Sequence, residues 1–184
     1  MYICTSKIVG LFLLLLFMPK KLLIVRHAHA EDYPASGLDF DRKLLPKGED
    51  YAIEMAGEVL KTDFRPEMLY SSPALRAKRT AELFAQQLAC PVADIIYIDG
   101  IYEAGLYNLT GIINRFSNTV DSIVIVGHNP AFTYLADYLG NKPVDGLPKA
   151  GMVLIHFEAT DWASLTQGSG VTQWLKSPKY NEVY

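Results

Sequence analysis

Two short, unbroken apolar runs constrain this chain more than any other feature: Leu22 to Val25, and Ser122 to Val126, which reads SIVIV. Runs of this length are short for helices and carry no polar alternation, so they read as strands buried on both faces, the pattern of a parallel sheet covered by helices. Met68-Leu69-Tyr70, Ile95 to Ile98, Met152 to Phe157 and Val171 to Leu175 read as further strands. Between them the spacing predicts amphipathic helices over Glu49 to Lys61, Pro73 to Leu88 and Pro130 to Leu139, and a weaker one over Asn108 to Asn118. In the first of these, Tyr51, Met55, Val59, Ala52, Ala56 and Leu60 form the apolar side, and Gly140 suits the C′ position of the third. Strand-helix alternation of this kind implies an α/β fold, a three-layer α/β/α sandwich with a mostly parallel central sheet. The strand order stays open.

The 184 residues, 50% hydrophobic, suffice for one compact core. A net charge of −3 argues against a nucleic-acid partner, which demands a broad basic surface. Cys4 and Cys90 have neither a metal-ligand spacing nor a disulfide framework, which fits a reducing, cytoplasmic compartment. The apolar run Ile8 to Met18 is short for a membrane span and lacks a small-x-small cleavage site before the strand at Leu22. Residues 1–17 therefore read as an extension ahead of a true start at Met18, with a membrane anchor as the alternative, and residues 18–184 as one domain.

In open α/β sheets ligands bind beyond the carboxyl ends of the strands, so the residues following each apolar run hold the chemistry. Arg26-His27 follows the first run, Ser71-Ser72-Pro73 follows Tyr70, and Gly127-His128-Asn129-Pro130 follows Val126. Ser72-Pro73 and Asn129-Pro130 each pair a favoured N-cap with a proline suited to the first helical position. Both helix starts should then present free N–H groups to an anion. Arg76, Lys78 and Arg79 crowd the first turns of the second helix, against its dipole, and a bound anion would resolve that conflict. Arg76 falls on the face of Ser72, where its fork suits a phosphate, while Lys78 and Arg79 read as a solvated basic face.

These same blocks carry a family resemblance. LLIVRHAHAE resembles the RHG or RHA signature of the histidine phosphatase superfamily, LYSSPALRAKRTAE its second block and IVIVGHNP its third. With QWLKSPKY near the C-terminus, the chain is most similar to the SixA-type phosphohistidine phosphatases, from about Lys20 onwards. The resemblance implies a phosphoglycerate mutase-like fold, a nucleophile at His27, and a phosphoryl clamp of Arg26, Arg76 and His128. Arg42, in DFDRKLLPKG, stands where relatives have a phosphate-contacting arginine, although Lys43 and Leu45 depart from that stretch. Glu103, in IYEAGLYN, lies where larger relatives place a proton-donating acid.

Neutral imidazole is a competent nucleophile, and passage through a phosphohistidine divides hydrolysis into two easier steps. Arginines and a second histidine supply the positive charge that a metal provides elsewhere, so neither metal nor cofactor is expected. His29 reads as a rim residue that tunes access, and His156, in the alternating VLIHFE, as structural. The expected activity is hydrolysis of phosphohistidine on a protein, since so short a chain has little sequence to wall off a metabolite. A small phosphate ester is the alternative substrate. A mutase would need a closed site, and a non-catalytic phosphate-binding module would need a damaged motif.

Overall fold

A computed structural model describes residues 19–178. The apolar run Ile8 to Met18 and the start at Met18 lie outside the described residues. Six strands form one sheet in the order β3-β2-β4-β1-β5-β6. They are β1 (Lys20–Arg26), β2 (Met68–Ser71), β3 (Ile96–Tyr97), β4 (Ser122–Gly127), β5 (Met152–Phe157) and β6 (Gly170–Lys176). The four strands from β3 to β1 run parallel, β5 pairs antiparallel with β1, and β6 pairs antiparallel with β5.

The apolar runs are unbroken because each strand feeds two cores. Leu22 and Ile24 of β1, with Ile123 and Ile125 of β4, point into one; Leu23, Val25, Val124 and Val126 point into the other. All eight are 0% exposed, so no polar side chain is tolerated at either parity. The first core is covered by α3 (Leu106–Ile113) and α4 (Ala131–Leu139), the second by α1 (Pro46–Leu60) and α2 (Leu75–Gln87). This is the three-layer α/β/α sandwich of phosphoglycerate mutase-like proteins.

Several local expectations need correction. In α1, Ala52, Met55, Ala56 and Val59 are buried, but Leu60, the last residue of the helix, is 45% exposed. The strand expected over Ile95 to Ile98 shrinks to the two-residue edge β3, and the weak helix to Leu106–Ile113. Gly140 does not adopt the left-handed conformation of a C′ glycine; it is extended, at φ −82° and ψ 172°. Its requirement is spatial, since a Cβ there would overlap Thr172 Oγ1 of β6. Gly48 serves a similar purpose nearer the site. It is buried, a Cβ would overlap the His29 carbonyl, and so α1 packs directly on the backbone just past His27.

Candidate active site

Parallel register delivers the three signature junctions to one rim. Arg26 lies beside Gly127 and Ser71 beside Val126, so β1, β4 and β2 end together. The His27 amide donates to the Gly127 carbonyl at 2.9 Å, and the Ser72 amide to the Val126 carbonyl at 3.0 Å. Beyond these ends opens a cleft of about 320 Å³, lined by Arg26, His27, Asp39, Arg42 and Arg76, with Tyr102, Glu103, His128, Asn129 and Lys149. All six residues expected from sequence therefore meet in one place.

His27 is 6% exposed, and its Nδ1 lies 2.7 Å from the Ala28 carbonyl oxygen. A carbonyl only accepts, so the proton sits on Nδ1 and the lone pair on Nε2. Arg76 Nε donates to that same Nε2 at 3.3 Å, which agrees with this tautomer. Burial, followed by the charges of His128, Arg76 and Arg26, holds the His27 pKa down to about 2, although the bond to Ala28 opposes this. His128, whose ring centroid lies 5.1 Å from that of His27, is lowered to about 3, chiefly by burial and then by Arg76. Both imidazoles are thus neutral at physiological pH, the state a nucleophile requires.

A pKa lowered from the ordinary 6.5 means that protonation, and loss of the nucleophile, begins only as pH falls well below 6.5. For an aryl phosphate, kcat/KM reports the free enzyme. After correction for the substrate's own ionisation, it is expected to stay level from pH 7 to pH 5. An inflection near pH 6.5 would show that His27 titrates as an ordinary exposed imidazole.

The helix starts differ from the sequence expectation. Helices α2 and α4 begin at Leu75 and Ala131, after the prolines, and neither has a side-chain cap. Ser72 Oγ bonds His128 Nε2 at 2.8 Å and accepts from the Ala74 amide at 3.3 Å, one residue ahead of the helix, and Asn129 Nδ2 donates to the Leu147 carbonyl at 3.0 Å. Nor does a bound anion have to resolve the crowding of cations at α2. Arg76 Nη2 donates to Asp39 Oδ2 at 2.7 Å and Nη1 to the Asp39 carbonyl at 2.6 Å, while Arg79 Nε pairs with Glu49 at 2.7 Å. Lys78, as expected, is exposed, its ammonium 5.3 Å from the Tyr97 ring centroid.

Asp39 is the residue that sequence reasoning passed over. Besides Arg76, its carboxylate accepts from Arg42 Nη1 at 2.9 Å and from the Tyr102 hydroxyl at 3.0 Å. Burial raises its pKa, but these three donors outweigh burial and hold it at about 2. Asp39 thus holds both guanidiniums at the cleft, that of Arg76 beside His27. The acid three residues ahead of Arg42 was the available signal, hidden because a single Asp in a polar loop is unremarkable. Glu103 lines the cleft with its backbone at φ +55°, a left-handed conformation that costs a non-glycine residue about 1–3 kcal/mol and recurs at functional sites. Thr80 links this helix to the nucleophile loop, its Oγ1 accepting from the Ala28 amide at 3.1 Å and donating to the Arg76 carbonyl at 2.7 Å. His29 stands just outside the cleft against Tyr51, and His156 lies within β5.

Buried polar atoms without a hydrogen-bond partner are rare in folded proteins. Here Arg26 Nε, His128 Nδ1 and Asn129 Oδ1 are three such atoms, and all belong to residues that line this one cleft. Two of them sit on cationic or proton-carrying groups, a pattern suited to an oxyanion.

Residues 22–114 match the sequence profile of the histidine phosphatase superfamily (branch 1). The chain belongs to this superfamily. Among solved structures, this histidine phosphatase is similar to the SixA protein of Agrobacterium tumefaciens, with a TM-score of 0.71 and 25% identity over 87% of this chain and 99% of that one. It also shares the fold of the protein histidine phosphatase SixA complexed with tungstate, with a TM-score of 0.71 and 22% identity over 86% and 97% of the two chains. An uncharacterized chloroplastic protein of Arabidopsis thaliana is 24% identical over 163 residues, 84% of this chain and 74% of its own. Among the described residues of this superfamily member, no helix is long and apolar enough to cross a membrane, and no group of three or more His, Cys, Asp or Glu side chains could hold a metal ion.

Proposed function

We propose that this protein is a metal-independent phosphatase that hydrolyses phosphohistidine on a protein, through a phosphoenzyme formed at His27 Nε2. The observation that carries the reading is the unprotonated Nε2, backed by the Ala28 carbonyl on the far side of the ring and bordered by Arg76 Nε. In the first step Nε2 attacks phosphorus, the substrate P–N bond breaks, and the departing imidazole takes up a proton. In the second, water attacks the phosphorus of phospho-His27, its proton passes to solvent or to a group of the cleft, and phosphate leaves with His27 restored. The three equatorial oxygens carry the charge in both steps. Arg26, Arg76, His128 and Arg42 are the ligands assigned to them, positioned before substrate arrives. The tungstate complex of the SixA relative supports such a cradle, since tungstate is a tetrahedral oxyanion like phosphate. Its partners in this reading are phosphorylated proteins of the cytoplasm.

Glu103, which shares the cleft, favours a second reading in which a small phosphate ester is cleaved. The leaving groups separate the two. An alkoxide is strongly basic, and a positioned acid contributes about 10²- to 10⁴-fold to its departure. Imidazole leaves with a conjugate-acid pKa of only ~6.5 and needs far less help. Glu103→Gln keeps size and hydrogen bonding but removes the proton. It is expected to retain most activity on a phosphohistidine peptide while any activity on alkyl phosphates collapses, as kcat/KM measured in parallel will show. A similar large loss on both substrates would favour the small ester. No loss on either would remove Glu103 from the chemistry.

A further inference from the structure

The phosphate cleft continues into two smaller ones of opposite charge. On one side lies a cleft of about 170 Å³ that shares Asp39 and Arg42 with it and adds Asp32. Arg42 pairs there with Asp39 at 2.9 Å and reaches Asp32 at 3.9 Å. A second neighbouring cleft, of about 290 Å³, is lined by His29, Lys47, Tyr51, Pro148, Lys149 and Pro178. Among the described residues, no carboxylate lines it. Lys149 belongs to the walls of both this cleft and the phosphate cleft, and it is half-buried. Among the described residues no carboxylate pairs with Lys149 or with Lys47, unlike Arg42, Arg76 and Arg79, each of which has one. The Lys47 ammonium instead lies 5.3 Å from the Tyr51 ring centroid, and the His29 ring 5.5 Å from that of Tyr51.

We infer that the cleft of Lys47 and Lys149 seats a second anionic group of the substrate, beside the phosphoryl group held at His27. The inference rests on the phosphatase reading for the identity of the bound phosphoryl compound, and it deepens that reading by giving the substrate a polarity. Lys149, half-buried and without a counter-charge among the described residues, is a better anion ligand than a surface lysine already paired, because no bond must be exchanged, and the exposed Lys47 adds its charge at the rim. The carboxylates of Asp32 and Asp39, in the cleft that shares Arg42, repel the same group. A substrate with an acid on one flank of its phosphoryl group therefore enters in one orientation. That acid is supplied either by an acidic side chain next to a phosphohistidine or by the second acid group of a small phosphate ester.

Non-hydrolysable probes test the subsite apart from catalysis. Calorimetric titration of the full chain compares phenylphosphonate with its 3- and 4-carboxylated derivatives. At least one carboxylated probe is expected to bind about tenfold tighter, a difference of about 1.4 kcal/mol. Lys149→Met should bring that ratio to within about twofold, and Lys47→Met should reduce it; because the readout is a ratio, any weakening common to both probes cancels. Equal affinities in the wild type, or a preference that survives both substitutions, would overturn the inference. If the preference holds but no phosphorylated compound is turned over, the phosphatase reading alone fails. The two sources of the acid are separated by kcat/KM on paired phosphohistidine peptides that carry Glu or Gln beside the phosphohistidine. A Glu preference lost in Lys149→Met identifies a protein substrate, and its absence, with the probe preference intact, identifies a small one.

Discussion

His27→Ala is expected to reduce turnover by at least about 10⁴-fold, the scale on which removal of a covalent nucleophile acts when the rest of the site remains. The fold should survive. The backbone bonds that place residue 27, to the Gly127 carbonyl and from the Ala150 amide, do not involve the imidazole. The small void left behind costs roughly 1–2 kcal/mol, well within the stability of a domain of this size. Circular dichroism melts with the turnover assay separate the two effects. Rapid quench of the wild type should locate phosphate on His27, and on no residue of the variant. Near-wild-type turnover by the variant would pass the nucleophile to His128, the other imidazole in the cleft.

The second large effect is expected at Arg76. Its guanidinium serves three acceptors at once, His27 Nε2, the Asp39 carbonyl and the Asp39 carboxylate, and it is 5% exposed. Because that fork is fixed before substrate binds, its hydrogen bonds strengthen as charge develops on the equatorial oxygens, and the loss should fall on kcat. Arg76→Ala is expected to cost about 10²- to 10³-fold. Arg76→Lys keeps the charge but not the planar fork and should recover only part. Lys78→Ala, two residues on and exposed, should cost almost nothing. Equal losses at positions 76 and 78 would mean that general attraction, rather than a positioned ligand, is at work.

The sequence carried more of this site than of its surroundings. His27, Arg26, His128 and Ser72 each end an apolar run, and a parallel sheet must bring such ends to one rim whatever the strand order; Arg76 follows one helical turn later. Arg42 and Glu103 were placed by resemblance alone, since each sits in a loop whose path no periodicity describes. Asp39, Tyr102 and Lys149 had no local signature. They reach the cleft from loops distant in sequence, and a loop's path is set by what it packs against rather than by its own residues.

What the chain determined by itself is whatever depends on neighbours along the backbone: unbroken apolar runs that require two covered faces, amphipathic helices that cover them, and reactive side chains at the strand ends. Tertiary structure decided the rest. It placed the order β3-β2-β4-β1-β5-β6, with its two antiparallel pairings around β5, and made Ser72 a partner of His128. It set the Asp39 carboxylate against Arg42, Arg76 and Tyr102, and left Lys149 with no carboxylate partner among the described residues. The physical reason is that a hydrogen bond or ion pair goes to whichever partner the fold brings within about 3 Å, and sequence separation has no part in that choice.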